Sequence, residues 1–132
     1  MNILPQILNI SSKNLLVNHF VDSFKKKIDH LLDHFIYGNA AHPYPSFFLE
    51  MQQIMNQICL DFISKYYELI DNDFRDSKER KKYYVINKSN VPRTLITIFG
   101  TITFHRTLYQ HKVTGEYYFY VDDVCGIDAY HN

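Results

Sequence analysis

The sequence has few of the residues that crosslink a chain or bind a structural metal. Its 132 residues include two cysteines, Cys59 and Cys125, and no Cys-x-x-Cys pair. Two thiols are too few for a four-thiolate zinc site, and they do not form a disulfide framework. The simplest interpretation is a protein of a reducing compartment, so we expect a cytoplasmic chain with Cys59 packed as a small apolar side chain.

Long apolar runs are also absent. No stretch reaches the length that a bilayer-spanning helix needs, so we expect no membrane association. Residues 1–16 lack the basic start and the small-residue cleavage site of a signal peptide. Tryptophan is missing too, but 11 tyrosines, 10 phenylalanines and a hydrophobic content of 46% supply a core. This composition argues against disorder over most of the chain and fits one domain, or one helical unit plus one small sheet.

The chain has no net charge, but its basic residues are concentrated in one segment. The formal net charge is zero. Between Arg75 and Lys112 there are nine basic residues and two acidic ones, and the rest of the chain carries the balancing excess of acid. A basic middle segment of this kind can attract a polyanion.

The first half predicts a helical hairpin over residues 1–75. Ser11 or Ser12 can cap a helix that runs to Tyr37, and Gly38 and Asn39 can end it. Residues 42–45 then form a proline-rich connector to a second helix that starts after Ser46. Each helix has one apolar stripe at intervals of three to four residues. The stripes comprise Leu16, Phe20, Phe24, Ile28, Leu31 or Leu32, and Phe35, and then Phe48, Met51, Met55, Ile58, Phe62, Tyr66 and Leu69. Because these stripes exceed what one small sheet covers, we expect a homo-oligomer formed through the helices.

The second half predicts a small antiparallel sheet, so the fold class is α+β. Residues 71–82 are hydrophilic and predict either a frayed helix end or a charged linker, with residues 76–92 as a basic linker plus the first strand. The antiparallel β region then covers residues 93–132. We expect about four strands, at residues 83–87, 94–99, 101–110 and 116–121, with a turn at 87–90 and a hairpin loop around Gly115.

Alternation along these strands predicts which side chains face the helices. Isoleucine and phenylalanine occupy even positions such as Ile96, Ile98, Ile102 and Phe104, and threonines occupy odd ones. With Gly100 as a turn or a bulge, this leaves an apolar face toward the helices and a threonine-rich face toward solvent. Arg106 is on the apolar set, where it must pair or extend to solvent.

Two groups of residues have the composition of a metal site. His30 and His34 are four residues apart on the first helix, but no third ligand is identifiable. Asp122, Asp123 and Asp128 form an acidic group, which is more typical of a capped turn that leads into a helix. We therefore predict no metal site and no catalytic residues in this chain.

The basic tract is the stronger candidate site. Cationic side chains that flank Tyr83 and Tyr84 suit contacts with DNA phosphates together with ring stacking. The alternative is a solvated charged linker. The predicted DNA-binding residues are Lys78, Arg80, Lys81, Lys82, Lys88 and Arg93.

A longer string follows this tract: RTLITIFGTITFHRTLYQHKVTGEYYFYVDDVCGID, from Arg93 to Asp128. The order of Arg-Thr-Leu-Ile-Thr, Phe-Gly, Leu-Tyr, Thr-Gly-Glu-Tyr, Val-Asp-Asp and Gly-Ile resembles the N-terminal region of ISLre-type insertion-sequence transposases. The resemblance is clearest from Lys78 onward. It implies a chain truncated before the catalytic domain, so that the family's catalytic carboxylates would follow residue 132 and none falls on this chain.

The sequence therefore supports two functions of different classes. In the first, the chain is a DNA-associated or oligomerising module of a transposase, without its own catalysis, that binds duplex DNA weakly and without sequence preference. This fragment would need no cofactor, whereas the full-length family would be a transposase dependent on Mg²⁺. In the second, the chain is a non-enzymatic interaction or dimerisation domain.

Overall fold

The computed structural model describes residues 8–37 and 44–127 and has the expected α+β architecture, in which helices precede an antiparallel sheet. No helix among these residues is both long and apolar enough to cross a membrane. The elements in chain order are α1 (Ile10–Tyr37), α2 (Tyr44–Arg75), α3 (Lys78–Tyr83), β1 (Tyr84–Thr97), β2 (Gly100–His111), β3 (Tyr117–Tyr118) and α4 (Tyr120–Val124).

The start of α1 is capped by Asn9, so the expected cap at Ser11 or Ser12 is wrong. The Asn9 side-chain oxygen accepts the Ser12 N–H at 2.7 Å, which satisfies one of the unpaired donors of the first turn. Asp73 of α2 accepts the Asn9 N–H at 2.9 Å and the Ser12 hydroxyl at 2.7 Å. The Asp73 carboxylate of α2 thus fixes where α1 begins. Its negative charge also stabilises the N-terminus of α1, which carries the positive end of the helix dipole.

The two long helices pack on each other through the predicted stripes. Leu16, Leu31 and Ile58 are buried, and the rings of Phe20 and Phe62 meet edge to face at 5.5 Å. The predicted helix stop at Gly38–Asn39 lies outside the described residues, as do residues 42–43 of the connector. Helix α2 already begins at Tyr44, so the second helix starts earlier than predicted.

The hydrophilic segment at residues 71–82 is helical, so neither a frayed end nor a charged linker is correct. Helix α2 continues to Arg75, with Ile70, Asp71 and Phe74 buried. After a short break, Ser77 caps α3 by accepting the Arg80 N–H at 3.1 Å. The burial of Ile70, Asp71 and Phe74 therefore outweighs the hydrophilic local sequence and keeps residues 71–75 in α2.

The sheet has three strands in the order β1–β2–β3, against the four that were expected. The first two predicted strands form one strand, and the expected turn at residues 87–90 is an irregular part of it. The register of β1 against β2 shifts between Ile86 and Lys88 and again between Lys88 and Val91, and Asn90 has a positive φ of 56°. These bulges add residues to β1 without ending the pairing.

The β1–β2 turn changes which residues face the core. Leu95 lies opposite Ile102 and Thr97 opposite Gly100, so odd positions of β1 share a face with even positions of β2. Ile96 and Ile98 consequently point outward and are 79% and 92% exposed. Gly100 has a φ of 131°, and a Cβ there would meet Leu60 at 3.2 Å, so the turn needs glycine for both backbone conformation and close approach.

The fourth predicted strand, at residues 116–121, is replaced by the two-residue strand β3 and the start of α4. Val121 of α4 joins Ile70, Ile102, Phe104 and Ile127 in the main core cluster. Helix α2 also covers part of the outer edge of β2, because Glu68 accepts the His105 N–H at 3.0 Å. On the opposite edge of the sheet, Pro92 occupies an edge-strand position, where a missing N–H costs no ladder hydrogen bond.

Candidate nucleic-acid interface

Three of the predicted DNA-binding residues project from α3. Lys78, Lys81 and Lys82 are exposed on this six-residue helix. Arg80 differs from them, because it is half-buried and its Nε donates to the carbonyl oxygen of Arg75 at 2.7 Å. Its guanidinium therefore ties the end of α2 to α3, which leaves the three lysines as the cations that are accessible on this helix.

A fourth lysine joins this group from the loop after β2. The backbone N–H of Lys112 donates to the Tyr83 carbonyl at 2.9 Å, and its Nζ donates to the Lys81 carbonyl at 2.5 Å. The ammonium group is thus held at the carboxyl end of α3, where the helix dipole favours positive charge. We refer to Lys78, Lys81, Lys82 and Lys112 as the lysine cluster. The sequence placed Lys112 in the basic segment but gave no reason to choose it as a site residue.

The two tyrosines beside the basic tract have different environments. Tyr83 is 43% exposed, with the Lys82 ammonium 5.2 Å from its ring centroid and the His111 ring stacked beside it at 6.4 Å. Tyr84 instead turns inward and stacks on Tyr118 at 5.1 Å. Burial raises the pKa of the Tyr84 hydroxyl above its usual value, and the neighbouring carboxylates of Glu79, Asp123 and Glu116 add to this effect. Only Tyr83 is therefore available to a ligand at this surface.

The remaining two predicted residues lie apart from the lysine cluster. Lys88 sits in the bulged part of β1 opposite Leu108, and Arg93 lies opposite Phe104, half-buried on the inner face. Phe104 and His111 are seven positions apart on β2, which is roughly 24 Å of strand. A single small ligand cannot contact all six predicted residues, so only an extended partner could use both groups.

A polar cleft that the sequence did not reveal lies between α2 and the sheet. It has a volume of about 580 Å³. Asp71 lies in its wall and is buried, and its carboxylate accepts the hydroxyl groups of Thr107 at 2.7 Å and Tyr109 at 3.2 Å. The residues that line the cleft are Glu68, Asp71, Asn72, Arg75, Asn90, His105, Arg106 and Thr107.

The charge on Asp71 is set by competing contacts. Burial raises the pKa of Asp71, while hydrogen bonds from Thr107 and Tyr109 and the positive charge of Arg75 oppose that rise. Burial and the nearby Asp71 charge in turn raise the pKa of the Tyr109 hydroxyl. Asp71, Thr107 and Tyr109, which we call the Asp71 cluster, therefore join α2 to β2 through polar contacts inside an otherwise apolar interface. Sequence periodicity gave no signal for it, since residues 71–82 read as a hydrophilic segment.

The predicted need of Arg106 for a partner is confirmed. Its Nη1 donates to Asp122 in the first turn of α4, both side chains are buried, and its guanidinium lies 3.7 Å from the centre of the Phe119 ring. Asp123 accepts the Tyr118 hydroxyl at 2.7 Å. Asp122 and Asp123 lie inside the five-residue helix α4, whose N-cap is Phe119 without a side-chain cap, so the expected capped turn leading into a helix is wrong. Asp128 lies outside the described residues.

The metal candidates do not assemble in the described part of the chain. Within residues 8–37 and 44–127, no three His, Cys, Asp or Glu side chains lie close enough together to hold a metal ion. His30 and His34 are exposed on α1, and the His34 ring contacts Phe35. Cys59 is half-buried beside Phe20 and Phe62, consistent with its expected packing role.

Comparison with known proteins places this fold and its basic surface in a family. The model of the uncharacterised protein family UPF0236 matches residues 48–132, more than half of the chain. The chain belongs to UPF0236. The match includes α2 from residue 48 onward, the lysine cluster and the whole sheet, whereas α1 lies before it.

A curated relative is a UPF0236 protein of Caldanaerobacter subterraneus subsp. tengcongensis. It is 29% identical over 77 residues, which are 58% of this chain and 16% of that protein. The chain therefore spans only a small part of the length of this UPF0236 relative. No solved structure matches the chain.

Proposed function

We propose that the chain is the DNA-associated N-terminal module of an insertion-sequence transposase and that it contacts DNA phosphates through the lysine cluster. The observation that carries the proposal is the meeting of three lysines of α3 with Lys112 beside the exposed Tyr83 ring. Phosphates are negatively charged acceptors, which suit exposed ammonium groups that lie close together on one surface.

The resemblance to ISLre-type transposases supports this proposal from a separate direction. The string that carries it, from Arg93 to Asp128, falls within the UPF0236 match at residues 48–132. The relative is also much longer than this chain, which leaves room for a catalytic domain elsewhere in proteins of the family. In this proposal the chain supplies binding, and metal-dependent strand chemistry belongs to the longer protein.

Salt dependence provides the first test. We expect weak binding to a duplex of about 20 base pairs, with little dependence on sequence, measured by fluorescence anisotropy. If three to four lysines contact phosphates, the slope of log affinity against log salt is about −3. Failure to bind any duplex at low salt would contradict the proposal.

Charge reversal locates the surface. The double variant Lys81→Glu with Lys82→Glu should weaken binding to all sequences alike, because phosphate contacts carry no sequence information. A matched control is Lys25→Glu with Lys26→Glu, which changes the net charge equally on the exposed surface of α1. Equal losses in both variants would mean that net charge alone, and not the lysine cluster, governs binding.

The β1 cations provide a second location. Because Lys88 and Arg93 lie along the strand away from the lysine cluster, they can contribute only to a duplex long enough to follow the sheet. Lys88→Glu should therefore weaken binding to a duplex of about 20 base pairs, which at a rise of 3.4 Å per base pair is long enough to contact Lys88 and the lysine cluster at once.

The exposed apolar residues on α1 favour a second function, that of a protein-interaction or dimerisation domain. This function is compatible with DNA binding, because α1 and the lysine cluster are different surfaces.

A further inference from the structure

The polar cleft between α2 and the sheet contains hydrogen-bonding groups that the fold does not use. One wall is a single face of α2, because Glu68, Asp71, Asn72 and Arg75 are spaced at three, four and seven residues from the first. The cleft volume of about 580 Å³ lies within the range of small-ligand sites, about 300–1,000 Å³. A lining of polar side chains suits a polar ligand.

Asp71 lies in this wall but is not available to a ligand. Its two carboxylate oxygens accept the hydroxyl groups of Thr107 and Tyr109, so the Asp71 cluster fixes the position of α2 over β2. The neighbouring Glu68 is only partly engaged. Its Oε2 accepts the His105 N–H at 3.0 Å, which leaves the second carboxylate oxygen to accept a hydrogen bond from a ligand.

Hydrogen-bond donors come from both sides of the cleft. On α2, the side-chain oxygen of Asn72 accepts a hydrogen bond from Arg75 Nη2 at 2.5 Å. This contact leaves the Asn72 NH₂ group and the other guanidinium N–H groups of Arg75 to donate to a ligand. On the sheet side, Asn90 adds an amide that carries a donor and an acceptor side by side.

The backbone conformation of Asn90 is unusual. Its φ of 56° lies in the left-handed region, and within residues 8–37 and 44–127 it is the one non-glycine residue with a positive φ. Asn90 belongs to the irregular segment of β1 between Lys88 and Val91. Strained backbone of this kind is concentrated at binding and catalytic sites. The bulge thus brings the Asn90 amide to the cleft.

The charges around the cleft favour a neutral ligand. Among the lining residues, the carboxylate of Glu68 offsets the positive charge of Arg75, and Arg106 is already paired with Asp122. Asp71 adds a further acidic group, and burial raises its pKa. An anion would therefore meet carboxyl groups, and a cation would meet the Arg75 guanidinium. A neutral planar edge with donors and acceptors fits instead, since asparagine and arginine side chains pair bidentately with the edges of nucleobases.

The cleft is flanked along the chain by cations that the proposed function assigns to phosphates. Lys78 follows Arg75 by three residues, and Lys88 precedes Asn90 by two. We infer that the cleft binds one unpaired nucleobase, hydrogen-bonded to Asn72, Arg75 and Asn90. Unpaired bases of a polynucleotide are recognised in this way, through the hydrogen-bonding edge of a base held in a pocket. A DNA strand and a free nucleotide both carry this chemistry, and DNA as the source of the base rests on the proposed function.

Duplexes with one unpaired nucleotide test this inference by fluorescence anisotropy on the full chain. Each duplex has about 20 base pairs, long enough for the cations on both sides of the cleft. The unpaired nucleotide carries one of the four bases or is abasic, so the phosphate charge is the same in every duplex. We expect at least one base to bind about tenfold more tightly than the abasic duplex, the size of one bidentate contact.

Two conservative variants locate the effect in the cleft. Asn90→Gly removes the amide, while glycine keeps the left-handed backbone conformation. Arg75→Lys keeps the positive charge but loses the planar guanidinium. Each should bring the ratio of the two affinities close to one. The control is Lys81→Glu with Lys82→Glu, which should weaken both duplexes alike and keep the ratio. Circular dichroism checks that each variant remains folded.

The outcomes separate this inference from the proposed function. If DNA binds but no base exceeds the abasic duplex, the inference is overturned and the proposed function stands. A ratio that survives both Asn90→Gly and Arg75→Lys would also overturn it. If no duplex binds, the proposed function fails, and an NMR titration with the four deoxynucleosides, which lack phosphate, decides the inference. Shifts of the Asn72 and Asn90 side-chain amides would support a free nucleotide as the ligand, whereas unchanged amides would overturn the site.

Discussion

The part of β2 that packs on α2 and the exposed side of α1 both carry large apolar side chains, yet only those of β2 are covered. Phe104 and Tyr109 of β2 are fully buried, whereas Val17 and Phe24 of α1 remain partly in solvent. The inner face of β2 packs against α2 and α4, and its buried polar side chains Thr107 and Arg106 bind Asp71 and Asp122 respectively. Among the described elements, helix α1 packs mainly on α2.

This difference shows that the two regions contribute unequally to stability. Burial of apolar area provides most of the stabilisation of a small domain. The sheet region also contains a buried ion pair and the Asp71 cluster, so small changes there leave unpaired polar groups as well as cavities. We therefore expect stability to depend mainly on the sheet region and assembly to depend on α1.

The largest expected effect is at the buried ion pair. Asp122→Ala leaves the Arg106 guanidinium without its carboxylate and should lower the free energy of unfolding by about 3–5 kcal/mol. Urea denaturation followed by circular dichroism measures this change. Asp123→Ala, at the exposed neighbour, is the control and should cost only about 1 kcal/mol, the net value of one hydrogen bond. Equal effects would mean that the pair has no special role.

The next effect compares the two regions directly. Ile70→Ala removes a fully buried side chain from the core cluster and should cost about 2–5 kcal/mol through lost burial and the cavity that remains. Val17→Ala on α1 should cost less than about 1 kcal/mol at concentrations where the chain is monomeric, because half of that side chain is already in water. A loss at Val17 as large as that at Ile70 would contradict the unequal division of stability.

A smaller effect is expected at the N-terminal cap of α1. Asn9→Ala removes the cap of α1 and should cost about 1 kcal/mol. Ser11→Ala is the matched control, since Ser11 is exposed beside the cap and the cap is formed by Asn9. Thermal unfolding of both variants at one protein concentration separates them. If Ser11→Ala destabilised the chain more than Asn9→Ala, the observed cap would not be the one that stabilises α1.

The smallest expected effect is the dependence of stability on pH at Asp71. Burial raises the folded-state pKa of this carboxyl, so the folded chain holds the proton more tightly than the unfolded chain. The stability that Asp71 contributes is therefore greatest below the unfolded pKa of about 3.9, and it declines as pH rises through the folded pKa. Asp71→Asn should remove this decline, which urea titrations between pH 4 and pH 7 can detect. An unchanged pH profile would show that Asp71 ionises in the folded chain as it does in the unfolded one.

Several features followed from the sequence because local rules decide them. The three-to-four residue spacing of apolar side chains identified two long helices and the stripes that join them. The alternating β-branched and aromatic residues identified the antiparallel strands around Gly100. An arginine among inward-facing residues required a partner, and Arg106 has one in Asp122. Each of these depends on backbone periodicity or on the cost of burying an isolated charge.

Other features were decided only by tertiary structure. Residues 87–90 continue β1 because pairing with β2 outweighs their local preference for a turn. Residues 71–75 stay in α2 because Asp71 and Phe74 are buried beside the sheet. Helix α3 has no buried residue and is instead capped by Ser77. The lysine cluster required Lys112 to be brought to α3 from the far side of a hairpin. The sequence by itself determines which side chains are suited to burial and where charge is concentrated. Contacts between residues distant in the chain determine which side chains are actually buried or brought together, because the free energy of these contacts exceeds that of local backbone preferences.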